Sequence, residues 1–234
     1  MAESEFVYGN DKYSEIRKNT VEAKNQLSEN EYVSFSLSDQ SGLKVLFLGN
    51  SMTRHGVKID IGWYHDHGMA ASEKEKDYVH ILMKKIRQMH PHASFCVCQG
   101  SEWERNYTDG QKIFCQFDSA RAFGADIIVM RLIENCPVRG FDGDTFKKEL
   151  WALLDYLNPS GKAKVILTTG FWRHPGDAFI RELARERKLS LAELGELGDR
   201  DDMKALGLFL HKGVANHPGD RGMEAIAERI FECF

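Results

Sequence analysis

From Lys44 onward the chain alternates short apolar runs with longer segments whose apolar positions recur at helical spacing. The apolar runs fall at Lys44–Leu48, Ser94–Cys98, Ile127–Arg131 and Lys164–Thr168, with a shorter one at Leu189–Leu191. They are apolar throughout, not alternating, as expected of parallel strands covered on both faces. The amphipathic segments predict helices over 72–89, 111–122, 144–157, 175–186 and 220–231. Ser72, with Glu75 three residues on, reads as a capping box for the first of these. Strands of about five residues separated by helices of a dozen or more predict βαβ units. The fold expected is a three-layer α/β/α sandwich, and in such sheets ligands collect at the carboxyl ends of the strands.

Ahead of this region, residues 11–30 read as a charged helix or ordered arm, and "EYVSFSLSD" at 31–39 as an edge strand. Residues 1–43 are therefore set apart as an N-terminal arm, and 44–234 as the domain that carries the chemistry.

Composition narrows the field. A chain of 234 residues with 42% hydrophobic content builds its own core. The net charge of −4 and the scattered basic residues give no footprint for nucleic acid or an anionic membrane surface. No apolar run approaches the ~20 residues that span a bilayer. Five cysteines without framework spacing suit reduced thiols and a cytosolic setting; the polar N-terminus does not read as a secretory signal, although a signal could have been trimmed. Cys96 and Cys98 share a strand face and read as small buried apolar residues in preference to a metal or redox pair.

The strand ends carry the candidate chemistry. Gly49-Asn50-Ser51 follows the first run, "QGSEWERNY" the second, "LIENCP" the third and "TGFWRHP" the fourth, while His217 precedes the last helix. Taken singly, Ser51 reads as a turn residue, Asn135 as a backbone cap and His217 as a loop histidine. Taken together, "FLGNSMT", "RLIENCP" and "HPGDRGMEAIA" resemble the SGNH (GDSL-like) hydrolase superfamily. "GNSMTRHG", "GMAAS" and "WERNY" are similar to a bacterial branch of esterases acting on acyl or carbohydrate esters. The resemblance covers Lys44 to Phe234 and implies a mostly parallel, flavodoxin-like sheet of about five strands. It implies Ser51 as nucleophile and His217 as general base and acid. It also implies an oxyanion hole from the Asn135 amide, the Ser51 N–H and a backbone N–H after the second strand, at Gly100 by residue type or at Trp103 by position.

One element of the pattern is missing. The family's aspartate, three residues before the histidine, is replaced by Val214; Asp199, Asp201, Asp202 and Asp220 are the other acids in range. The expectation is a Ser51–His217 dyad whose Nδ1 is held by a main-chain carbonyl. Trp63, Trp103 and Trp172 fall near the strand-end loops as candidates to stack on a substrate. Arg54, Arg105 and Arg173 are candidate anion partners, and Glu134 a candidate site-lining residue. His65 and His67 lack a third ligand at metal spacing and read as a polar loop. The reading is a serine esterase for a small acyl group, acetyl by expectation, on a carbohydrate or similar ester, with no metal or organic cofactor. A non-catalytic glycan- or protein-binding module and an acyltransferase are the alternatives.

Overall fold

The computed structural model describes residues 32–234. The arm helix expected at 11–30 lies outside them. Six strands form one sheet: β1 (Val33–Ser36), β2 (Lys44–Gly49), β3 (Ser94–Gln99), β4 (Ile127–Arg131), β5 (Lys164–Thr168) and β6 (Ser190–Ala192). Their order is β1-β3-β2-β4-β5-β6. β1 is the edge strand anticipated at 31–39 and pairs antiparallel with β3, Val33 opposite Cys98. The other five run parallel in the doubly wound order expected of a flavodoxin-like sheet.

The apolar runs are explained by burial on both faces. In β2, Leu46 and Leu48 enter one core cluster, while Val45 and Phe47 enter the other. The first cluster is closed by a short helix α2 (Ser101–Arg105), a 3₁₀ segment (Tyr107–Phe117), α3 (Asp118–Phe123), α4 (Gly143–Leu157) and α5 (Asp177–Arg187). The second is closed by α1 (Tyr78–Met89) and α7 (Asp220–Phe231), with a one-turn helix α6 (Lys212–Ala215) just before α7. No helix among the described residues is long and apolar enough to cross a membrane. Cys96 and Cys98 lie in the first cluster with Sγ atoms 3.8 Å apart, and burial pushes the Cys96 thiol up.

Two helices differ from expectation at their starts. α1 begins at Tyr78, not at 72, because Asp77 is the N-cap, accepting the His80 N–H at 2.8 Å. Ser72 instead donates its N–H and hydroxyl to Asp220, at 2.8 and 2.7 Å. The segment predicted as one helix over 111–122 is divided between the 3₁₀ segment and α3.

Gly222 inside α7 shows what holds this end of the molecule. A Cβ there would lie 2.1 Å from the Met203 carbonyl oxygen and 2.8 Å from the Pro218 ring. The helix can therefore approach the 203–205 segment closely, and that segment pairs with His217–Gly219 through Ala205 N–H to His217 O (2.9 Å) and Gly219 N–H to Met203 O (3.0 Å). Gly222→Ala is expected to lower stability by about 1–2 kcal/mol even though alanine is the better helix former, because overpacking outweighs propensity. Urea unfolding checks this; an unchanged or raised midpoint refutes it.

Candidate active site

Ser51 lies in the turn that follows β2. The Asn50 carbonyl accepts the N–H groups of Thr53 (2.9 Å) and Arg54 (3.1 Å), closing the turn, and the Ser51 carbonyl accepts from Met69 N–H at 2.8 Å. The Ser51 N–H is spent on no acceptor among the described residues. Its Oγ lies 2.8 Å from His217 Nε2, across 166 residues of sequence. The other ring nitrogen, Nδ1, is 2.7 Å from the Gly213 carbonyl oxygen. A carbonyl only accepts, so Nδ1 carries the proton and Nε2 presents its lone pair to the serine.

The chain around His217 explains why that carbonyl is available. In a continuing α-helix the Gly213 oxygen would take the N–H of residue 217. Pro218 bars the continuation, since it disfavours the helical conformation at the residue before it and has no N–H itself. The His217 N–H goes to Val214 O at 3.0 Å, and the Gly213 oxygen is left for the imidazole. Trp172 meets the ring edge-on, centroids 5.1 Å apart. Burial lowers the pKa of His217 to about 4, opposed in part by the Gly213 hydrogen bond. The imidazole is thus neutral at neutral pH, as a general base must be.

Ser51, Asn135 and His217 line one cavity of about 220 Å³, with Arg105, Trp172 and Glu134 in its wall. Beneath it lies a buried polar network. Glu104, fully buried, accepts from Asn50 Nδ2 (3.0 Å), Ile133 N–H (2.6 Å) and Asn135 Nδ2 (2.6 Å), with a longer contact from Asn135 N–H (3.4 Å). Glu134 accepts from Asn50 Nδ2 (2.6 Å) and Phe171 N–H (2.8 Å) and pairs with Arg131, whose Nη1 also donates to Asn50 Oδ1 at 3.0 Å. Burial, then the nearby Glu134 charge, pushes the Glu104 carboxyl up to about 7 against the pull of its amide donors.

The sequence matches no protein-family model and no curated protein. Among solved structures, the chain is similar to the psychrotrophic esterase EstA from Pseudoalteromonas sp. (13% identity, TM-score 0.50, 81% of this chain and 95% of that one). It is similar to the lipase/acylhydrolase from Enterococcus faecalis (16%, 0.52, 81% and 94%). It is also similar to a two-domain esterase active on acetylated mannans (15%, 0.53), where 81% of this chain aligns with 47% of that longer one. The fold is that of the SGNH (GDSL-like) hydrolases. At these identities the likeness speaks for architecture, and the roles of individual residues rest on the geometry above.

Within the SGNH frame, several expected residues lie elsewhere. The Gly100 N–H donates to Gly49 O at 2.6 Å and is not free to meet an oxyanion. Trp103 is fully buried against Phe146 in the first core cluster, because the inner face of α2 packs on the sheet. Trp63 is fully buried as well, donating its ring N–H to His55 O at 3.1 Å and packing on Phe209. Neither ring can stack on a ligand; of the three candidates only Trp172 borders the cavity. Arg54 pairs with Asp66 at 3.0 Å and lines a different cavity, beside His67 and His80. Arg173 pairs with Asp199. Asp201, Asp202 and Asp220 are engaged by Lys204, Arg200 and Ser72, so no carboxylate holds His217 among the described residues. His65 and His67 stack on each other beside Trp63, and no metal-competent group of three or more ligands occurs among the described residues.

Glu104, Asn50 and Arg131 are the site residues that sequence reasoning passed over. All three lie inside the quoted strand-end blocks, but a polar or charged residue at a strand end gives no sign that its side chain turns inward. Glu104→Gln replaces an acceptor with an amide that must point N–H atoms at other donors, and is expected to cost about 1–3 kcal/mol; an unchanged unfolding free energy would show the acceptor to be dispensable. For His217, the unfolded imidazole binds a proton near pH 6.5, whereas the folded one does so only at about 4. Its contribution is therefore complete above about pH 6.5 and is lost as pH falls toward 4, because the unfolded chain binds more protons in that window. An NMR titration of the ring should show a midpoint well below 6.5; one at or above that value contradicts the assignment.

Proposed function

We propose that the protein is a serine ester hydrolase acting on a small acyl ester, with acetyl as the acyl group and a carbohydrate or similar small alcohol as the leaving group. The carrying observation is the Ser51 Oγ–His217 Nε2 contact of 2.8 Å, with Nδ1 held by the Gly213 carbonyl. Ser51 Oγ attacks the ester carbonyl carbon as His217 Nε2 takes the hydroxyl proton. The carbonyl π electrons move onto the oxygen, which meets the unspent Ser51 N–H and the second N–H of the Asn135 amide, the first being held by Glu104. Collapse breaks the bond to the leaving oxygen, which receives the proton from His217 and departs as an alcohol. Water then attacks the acyl-enzyme, giving its proton to His217, and the acid leaves as Ser51 Oγ recovers that proton.

Two further observations support this reading. The cavity, at about 220 Å³, is smaller than the ~300–1,000 Å³ of drug-sized sites, which suits a short acyl group. The fold neighbours are esterases and lipolytic hydrolases, one of them active on acetylated mannans. Ser51→Ala is expected to lower p-nitrophenyl acetate turnover by on the order of 10³-fold or more, and a fluorophosphonate probe should label the wild type at Ser51 and not the variant. Unchanged turnover in Ser51→Ala, or labelling at another residue, rejects the nucleophile.

A further inference from the structure

The cavity wall holds a charge that no acid among the described residues pairs with. Arg105 is the one lysine or arginine lining the cavity among the described residues. It ends α2, a single turn that also carries Glu102 and Glu104, yet neither acid serves it. Glu102 takes the Tyr32 hydroxyl (2.8 Å) and the Gln116 amide (3.0 Å), while Glu104 is turned into the network beneath the site. Arg105 makes one hydrogen bond, Nη2 to Ser101 Oγ at 3.3 Å, and no ion pair among the described residues. The other two arginines singled out in the sequence as anion partners, Arg54 and Arg173, are each matched by an aspartate. The cavity's own carboxylate cannot serve either, since Glu134 is 4% exposed and bound to Arg131.

The lone contact of Arg105 is a built one. The Gln99 amide oxygen accepts both the N–H and the hydroxyl of Ser101 at 2.9 Å, fixing the oxygen on which the guanidinium rests. Four of its five N–H donors are left for a ligand, in the planar fork that matches a carboxylate or phosphate. The Arg105 charge is near enough to depress His55, another cavity residue, although burial is the larger cause there.

We infer that Arg105 is a specificity-determining residue that binds an anionic group, carboxylate or phosphate, borne by the ester substrate. The inference deepens the ester-hydrolase reading of the same cavity and rests on it. Its test compares 4-acetoxybenzoate and 4-acetoxyphenyl phosphate with the neutral methyl 4-acetoxybenzoate, in the wild type and in Arg105→Gln and Arg105→Lys. The readout is the anionic-to-neutral ratio of kcat/KM, so that leaving-group differences cancel between proteins. A charge-assisted pair supports a fall in that ratio of about tenfold in Arg105→Gln, partial retention in Arg105→Lys, and a wild-type ratio that shrinks with added salt. The anion with the larger Arg105-dependent ratio is the one the site takes; ratios equal in wild type and Arg105→Gln for both anions overturn the inference. Failure of the hydrolase reading is separable. Binding of 4-hydroxybenzoate and of 4-hydroxyphenyl phosphate to the Ser51→Ala protein, measured calorimetrically, needs no turnover. Tenfold weaker binding of either anion in Ser51→Ala/Arg105→Gln sustains the Arg105 site even if Ser51 proves not to be the nucleophile, and equal binding of both overturns it.

Discussion

A guanidinium at the end of a central strand, fully buried, sets the terms for everything above it. Arg131 closes β4 in the middle of the sheet with no exposed surface. Bare, such a charge costs several kcal/mol. It is answered three residues on by Glu134, and the surplus lone pairs and protons pass through Asn50 to Glu104 and on to Asn135. That chain ties the loop after β2 to those after β3 and β4. Ser51 and Asn135 owe their relative placement to it, since each adjoins a residue whose side chain is locked into the network. Networks of this kind are weak evidence for stability, but their many mutual hydrogen bonds favour a single arrangement, and here only Arg131 Nε among the buried polar atoms of the five side chains lacks a partner. A site that must pre-aim donors gains more from that uniqueness than from net stabilisation.

The histidine is held by a different device. A carboxylate on Nδ1 would favour the charged imidazole; a carbonyl orients the ring and fixes the tautomer while supplying only a dipole. With burial as the dominant influence, His217 is a weak base, neutral in the resting protein at neutral pH with Nε2 open to accept. In the proposed mechanism this shifts the burden of stabilising the transition state toward the oxyanion side, where Asn135 is braced by a carboxylate and the Ser51 N–H is unspent.

The fold was legible because its signals are local and repeated: β2 and β4 are apolar on both faces, and α7 runs over the 220–231 predicted from its spacing. Ser51, Asn135 and His217, singled out by the resemblance, do line one cavity. Inward or outward orientation of a loop side chain was not legible. Trp63 and Trp103 lie in loop-like text and are core, because loops that cross the sheet edge bury one face of their own. Nothing in "GSEWE" distinguishes the half-buried Glu102 side of a one-turn helix from the fully buried Glu104 side, as a single turn has no period to read.

The two largest departures from expectation have one cause. Val214, at the position where the resemblance calls for an acid, is 1% exposed in a small apolar cluster with Trp63, Met69, Ala70 and Ala205. An aspartate there would be desolvated among aromatic and aliphatic groups, and its charge would need a partner that the cluster does not contain. The same packing that withdraws Trp63 from any ligand therefore excludes the carboxylate from position 214. With apolar side chains packed around position 214, the support of His217 comes from the backbone, and the interrupted helix before Pro218 supplies the Gly213 carbonyl that gives it.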